Sequence, residues 1–414
     1  MTPSARLQAA IEILEQLDST AKPADRFLRD WFRTRRYAGS KDRAAVAARV
    51  FAILRRRAAL GWRMGDARPR ALGIASVLAE GAEVDALFNG EGYGPAPLDD
   101  AERAVIASPP PGEPPLDVQG EFPAFLESEL RRGFGDELLA EMRALGERAP
   151  VNLRVNTLKA KRDEVLTELQ MFGAEPTPYA PHGIRIASGE GLAAIGRHAM
   201  FAQGLFEFQD EAAQIASLLC AARPRETVLD LAAGAGGKAL ALAAEMQNQG
   251  AILASDIDPA RLAQLGPRAT RAGASIIRTG AEIAPAAFDA VFVDAPCSGS
   301  GAWRRQPENK WRLTPARLAE LNATQDLLLD QAATAARPGG RIVYATCSVL
   351  PCENEDRVAA FRARHPQFRA VPASAIWREA TACQSPPGMD AFFRASPLKT
   401  GTDGFFAAIF RREA

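Results

Sequence analysis

Two cysteines stand where chemistry could be done. Cys297 follows the apolar run Ala290-Val-Phe-Val293 in the stretch Asp294-Ala-Pro-Cys-Ser-Gly-Ser-Gly301, and Cys347 follows Ile342-Val-Tyr344 in Thr346-Cys-Ser348. Short apolar runs of this kind, alternating with helical patterns, read as strands of a parallel sheet. Both sulfurs therefore sit at strand carboxyl ends, the edge where open α/β sheets take their ligands. A lone buried cysteine is usually inert filler. Neither of these has an apolar context, and a thiolate flanked by polar, turn-forming residues is a candidate nucleophile.

A glycine-rich turn lies on the same edge. After Val228-Leu-Asp-Leu231 comes Ala232-Ala-Gly234-Ala-Gly236-Gly237-Lys238, and a helical run follows. The glycines allow a tight turn and close approach of backbone to a ligand. The next strand, Ala251-Ile-Leu-Ala254, leads to Asp256, whose carboxylate can accept both hydroxyls of a ribose. Gly234 and Gly236 with Asp256 beyond also fit a dinucleotide fingerprint, so the loop reads as an adenosine-cofactor site without choosing between NAD and S-adenosylmethionine. The phosphate-loop pattern fails because Ala239, not Ser or Thr, follows Lys238.

A thiol beside an S-adenosylmethionine site suits one difficult reaction, methylation of carbon 5 of cytosine. That carbon is a poor nucleophile until sulfur adds at carbon 6 and turns the ring into an enamine. Cys347 is the candidate attacking thiol, and Asp294 the acid near ring N3. Cys297 is the candidate for helping the sulfur leave, and Lys238 the charge that favours the thiolate. No metal is needed. Cys347 and Cys352 are too few for a zinc site, and His182, His198 and His365 fit no serine triad.

The elements that position these residues follow from periodicity. Ala239–Met246, Pro259–Arg271 and Pro315–Ala336 read as helices between the strands, and Phe405-Phe-Ala-Ala-Ile-Phe410 as a late strand. Upstream, Val151–Leu158 and Ile184–Ile186 read as strands around a helix at Arg162–Phe172, a small β-α-β unit. Leu7, Ala10, Ile11, Leu14 and Leu17 recur at helical spacing, as do the apolar residues of Ala44–Leu60, and Phe122–Leu145 also reads as helical. Pro109, Pro110, Pro111, Pro114 and Pro115 with Gly112 mark a linker. The expected organisation is a helical domain over 1–108, a linker over 109–120, a small α/β subdomain over 121–205 and a catalytic domain over 206–414.

Fifty Lys and Arg balance fifty Asp and Glu across the 414 residues, so net charge is silent about partners. Its distribution is not. Arginines crowd the stretch from Arg26 to Arg70, against few acids there (Asp25, Asp30, Asp42 and Asp66). The expectation is a phosphate-binding face, weighed against a solvated helix surface with local pairing. Five cysteines in a long chain suggest no disulfide framework. No signal peptide is read at the start and no apolar run of bilayer length elsewhere, so a cytoplasmic location and no membrane partner are expected.

At its motif residues the chain resembles the Sun/RsmB family of RNA cytosine-5 methyltransferases. Phe208-Gln-Asp-Glu-Ala212 resembles the family's lead-in to the cofactor fold, and Ala232–Lys238 its cofactor loop, with Ala232 where cysteine is usual. Asp294–Gly301, Arg304-Arg305 and Lys310–Pro315 resemble its fourth motif. Thr346–Ser348 with Glu353-Asn-Glu355 resembles its nucleophile motif, and Thr402–Phe406 its terminal strand. The resemblance implies that Cys347 attacks, that Cys297 assists release, and that Ala232, Ala233, Gly234, Ala235, Gly236, Gly237, Lys238, Asp256 and Asp294 line the cofactor and base site. It implies a Rossmann-like S-adenosylmethionine methyltransferase fold with a small β-α-β (RRM-like) subdomain. Gly39-Ser-Lys-Asp-Arg43 and the run after it add an all-helical NusB-like RNA-binding domain. The family often places an aspartate after the third strand to hold the adenine; here Glu282 is the nearest acid.

The expected function is therefore formation of 5-methylcytosine in RNA by a monomer, with 16S ribosomal RNA as the partner and transfer RNA as the alternative. An NAD oxidoreductase would leave both cysteine motifs unexplained. A DNA cytosine methyltransferase would use the Cys297 position and leave Cys347 unexplained. A silent ribosome-assembly protein would have no use for an intact Asp294, Cys297, Cys347 and Lys238.

Overall fold

The computed structural model describes residues 1–187 and 192–414. The chain divides into two compact units, one comprising Met1–Gly146 with Trp303–Leu313, the other Glu147–Ala302 with Thr314–Ala414.

The first unit is helical. Its opening helix, Pro3–Leu17, starts with proline in the first turn and with the Thr2 hydroxyl accepting from the Ala5 amide at 3.2 Å. Both features satisfy a helix start. Leu7, Ile11 and Leu14 from this helix pack with Val46, Val50 and Ile53 of Ser40–Arg55 and with Leu72 and Ile74 of Pro69–Ala79. The run expected as one helix over Ala44–Leu60 is two, Ser40–Arg55 and Arg57–Met64, the second ending at Gly65 with φ +62°. Helix Pro307–Arg312 belongs to this unit too. Glu308 accepts from the Ala24 amide at 2.8 Å, and the Trp311 indole donates to the Leu54 carbonyl at 2.8 Å. Part of the fourth motif therefore groups with the helices rather than with the rest of 206–414, and helices run to Gly146, past the expected boundary at 108.

The arginine-rich stretch is less bare than its sequence suggests. Arg57 pairs bidentately with Asp18, Arg49 with Glu80 and Arg70 with Glu102. All three acids lie outside the stretch. Arg26, Arg36 and Lys41 are exposed and make no ion pair among the described residues.

The second unit holds two sheets. The smaller has strands β1 (Val151–Val155), β2 (Ala174–Pro176), β3 (Gly183–Ile186) and β4 (Phe206–Phe208), in order β2-β3-β1-β4 and antiparallel throughout. The expected β-α-β unit thus gains two strands, and β4 joins it from beyond the expected boundary at 205. Helix Arg162–Leu169 buries Val165 and Leu169 against Leu153, Ile184 and Phe206.

The larger sheet comprises β5 (Thr227–Leu231), β6 (Ala251–Ser255), β7 (Ile277–Thr279), β8 (Phe288–Asp294), β9 (Ala336–Thr346), β10 (Phe368–Val371), β11 (Phe393–Ala395) and β12 (Phe405–Arg412). Its order is β10-β12-β9-β8-β5-β6-β7, with β11 paired to β12. Strands β7, β6, β5, β8 and β9 run parallel, while β12 returns antiparallel to β9. Alternate residues of β5 face opposite layers: Val228 packs with Ala239, Leu242 and Ala243, and Leu229 with Leu329 and Ala333 of helix Pro315–Ala335. Helices on both faces make the near-continuous apolar strands necessary. The expected helix over Pro259–Arg271 is broken into Pro259–Leu262 and Leu265–Ala272. No helix is long and apolar enough to cross a membrane among the described residues.

Candidate active site

Strand register brings the motif residues to one edge. Leu231 of β5 is level with Ser255 of β6 and Val293 of β8, and Asp294 is level with Ala345 of β9. The residues that follow, Ala232, Asp256, the Asp294–Cys297 segment and Cys347, therefore leave the sheet side by side. They are separated by 24 to more than 100 residues in sequence, and parallel pairing alone makes them neighbours.

The glycine turn uses left-handed backbone at Ala232 (φ +67°), Gly234 (φ +56°) and Gly236 (φ +79°). At Gly236 a side chain is excluded twice, since a Cβ would also lie 2.1 Å from Leu265. Two neighbours fix the turn. Asp256 accepts from the Gly234 amide at 2.6 Å and, through its other oxygen, from the Asp258 amide at 2.7 Å. Each oxygen keeps a second acceptor position, so the expected ribose contact is compatible with this role. Arg268 donates to the Ala235 carbonyl at 2.6 Å and pairs with Glu207 of β4 at 2.9 Å. Sequence reading missed Arg268; its only local signal is a cation on the second of the two helices that follow β6.

Lys238, in the first turn of helix Gly237–Glu245, donates to Asp294 at 2.5 Å. Burial disfavours its charge, but the Asp294 carboxylate, with Cys347 and Asp230 behind it, outweighs burial and the net shift is upward. This shift favours the ammonium form of Lys238, with Cys347 among the groups that raise it. The Cys297 and Cys347 sulfurs lie 3.4 Å apart, within hydrogen-bond reach for sulfur. Cys297 is pushed well above an ordinary thiol, first by its hydrogen bond with Cys347, then by burial, then by the charges of Cys347 and Glu353. This shift favours the protonated form of Cys297.

Asp230 was not anticipated. It is wholly buried on β5 and hydrogen-bonds to no other side chain, with the Ala239 amide as the backbone donor beside it. Burial first, and then the nearby Asp294, raise it to about 7. A glycine turn flanked by the Asp256 and Asp294 carboxylates suits a ligand with positive charge. S-adenosylmethionine carries a sulfonium and an ammonium, so these residues fit it. The pyrophosphate of NAD would instead meet two carboxylates. Glu282 is exposed beyond β7, and no group of three or more metal-ligating side chains exists among the described residues.

Comparison with known proteins agrees with this geometry. The profile of the 16S rRNA methyltransferase RsmB/F family matches residues 217–411, and that of the RsmF/B-like ferredoxin-like domain matches 122–191. Ribosomal RNA small subunit methyltransferase B of Erwinia tasmaniensis is 33% identical over 70% of this chain and 66% of its own length. The probable methyltransferase B of Synechocystis is 31% identical over 72% of this chain and 68% of its own.

The chain belongs to the RsmB/F family.

It spans about two thirds of the length of these family relatives. Family membership carries the S-adenosylmethionine methyltransferase fold, and structures agree. The crystal structure of PH0851 superposes with a TM-score of 0.78 over 100% of this chain and 99% of its own, at 25% identity. A methyltransferase homologue from Pyrococcus horikoshii shares the fold with a TM-score of 0.60 over 72% of this chain and 97% of its own, at 24% identity. The ferredoxin-like match explains the antiparallel small sheet, whose full strand set the RRM-like expectation resembled without two of its strands.

Proposed function

We propose that this chain methylates carbon 5 of a cytosine in 16S ribosomal RNA, with S-adenosylmethionine as donor and Cys347 as nucleophile. The observation that carries this reading is the pair of sulfurs 3.4 Å apart on the sheet edge that also holds the Lys238–Asp294 ion pair. S-adenosylmethionine supplies an electrophilic methyl group on a sulfonium that departs as a neutral thioether. Ala232–Gly237 and Asp256 would hold it.

Cys347 ionises under the field of Lys238 and its sulfur bonds to carbon 6, pushing the ring's electron pair toward carbon 5. Asp294 passes a proton from the Lys238 ammonium to N3 as negative charge builds on the ring, and that proton returns when the ring double bond re-forms. Once carbon 5 bears the methyl group it loses its hydrogen as a proton to a water molecule. That electron pair re-forms the ring double bond, and the bond from carbon 6 to sulfur breaks. Cys297 holds its proton toward Cys347 and stabilises the departing thiolate. The helical unit contributes phosphate contacts through Arg26, Arg36 and Lys41, and the target cytosine must come from an unstacked loop that can be turned into the pocket.

Incubation with 16S RNA and labelled donor, followed by bisulfite sequencing, tests the reading. Methyl transfer to one cytosine is expected. Cys347→Ala should abolish it, and Cys297→Ala should accumulate an RNA adduct that survives denaturing electrophoresis. Labelled uracil or a labelled exocyclic amine would refute the proposal.

A further inference from the structure

Behind the two sulfurs lies a buried carboxylate that the mechanism does not use. Glu353 has no solvent exposure and no ion pair among the described residues. Hydrogen bonds alone hold it. One oxygen accepts from the Ser298 amide at 2.8 Å and from Gln325 at 3.1 Å; the other accepts from the Ser298 and Ser348 hydroxyls, both at 2.5 Å. Ser298 is the residue after Cys297, and Ser348 the residue after Cys347.

Burying a carboxylate without a cation is costly, and it persists only where donors fully satisfy it. Four donors do so here, and three of them come from the residues next to the sulfurs. Adjacent contacts extend the same bracket. Ser300 and Ser348 share a hydroxyl contact at 3.0 Å, and Gly301 donates to the Cys347 carbonyl at 3.0 Å. Asn354, next in sequence, accepts from Thr346 at 2.5 Å and donates to the Ser348 carbonyl at 3.0 Å.

We infer that Glu353 is a positioning residue of the two-thiol site, its single carboxylate joining the Cys297 loop to the Cys347 loop and setting the roles of the two sulfurs apart. The joining is geometric. The division of roles is electrostatic: the hydrogen bond with Cys347, burial, the charge of Cys347 and then the negative charge of Glu353 raise Cys297 and favour its protonated form, while Lys238 interacts electrostatically with Cys347. The inference rests on the reading that Cys347 is the nucleophile, and its test is chosen so that the two can fail separately.

The first measurement is iodoacetamide alkylation of Cys297 against pH, in a Cys347→Ala background with and without Glu353→Gln, read by peptide mass spectrometry. It needs neither RNA nor turnover. The expected result is a midpoint lowered by about one pH unit when the charge is removed. An unchanged midpoint overturns the electrostatic role. The second measurement is turnover with the natural pair of cysteines. Glu353→Gln should lower kcat by about 10- to 100-fold while KM for S-adenosylmethionine changes less than about threefold. Glu353→Asp, which keeps the charge but shortens the reach, should lower kcat yet leave the alkylation midpoint near that of the parent. If both variants lose cofactor binding and melting temperature together, Glu353 only supports the fold and the inference is overturned.

Discussion

The Lys238 amine and the Asp294 carboxylate form an ion pair of 2.5 Å between the helix after the glycine turn and the end of β8. The contact couples the cofactor loop to the base site, and Cys347 lies within the field of the same lysine. Lys238→Gln should therefore cost more than binding. We expect kcat to fall by about 10²- to 10³-fold, with the pH at which Cys347 becomes reactive moved upward. Stopped-flow alkylation of Cys347 against pH checks this; an unmoved profile would remove Lys238 from thiolate stabilisation.

Asp230 links pH to stability. The unfolded chain releases this proton near 3.8, whereas the folded chain holds it to about 7. Between those values the folded state binds more protons, so stability contributed by the neutral form is lost as pH rises through that window. Asp230→Asn should remove the loss. Urea unfolding at pH 8 without cofactor should show a gain on the order of 1–4 kcal/mol, with little difference at pH 4. Equal stability of variant and parent at pH 8 would show that Asp230 is ionised and satisfied.

Gly301 sits between the two cysteine loops, where a Cβ would lie 2.0 Å from the Gly404 carbonyl oxygen. Its neighbours there are backbone, which cannot rotate away. Gly301→Ala should destabilise by about 1–3 kcal/mol and abolish transfer, because the Gly301 amide also holds the Cys347 carbonyl. A thermal melt paired with an activity assay decides it.

RNA binding should depend on the cations left without acidic partners. The combined variant Arg26→Ala, Arg36→Ala and Lys41→Ala should bind RNA more weakly and with a shallower salt dependence. The slope of log K against log salt should drop by about 2–3 if all three meet phosphates. Removing Arg57, already bidentate with Asp18, should leave the slope unchanged while lowering stability. A filter-binding series over salt concentration separates the two effects.

The parallel sheet was legible because its strands are short apolar runs with helical patterns between them. The glycine turn was legible because few residues besides glycine tolerate its backbone angles. The helix break at Arg56 was not legible, since apolar periodicity continues across it, whereas Gly266-Pro267 marked an interruption within Pro259–Arg271 that periodicity passed over. Strands β2 and β4 were missed because each has only three residues, too few to show alternation. The expected poverty of acids around the arginines failed for another reason. Asp18, Glu80 and Glu102 come from outside the window, and a count along the chain cannot see pairing in space.

Sequence alone determined the chemistry on offer: two thiols at strand ends, a lysine and an aspartate, and a turn built for an adenosine ligand. Local spacing and side-chain type encode these features. Only the folded chain decided how they work together. It set the sulfurs 3.4 Å apart, tied both cysteine loops to Glu353, left Asp230 wholly buried, and assigned Trp303–Leu313 to the helical unit. Those relations join residues distant in sequence, and their energies depend on burial and distance, which a linear pattern does not contain.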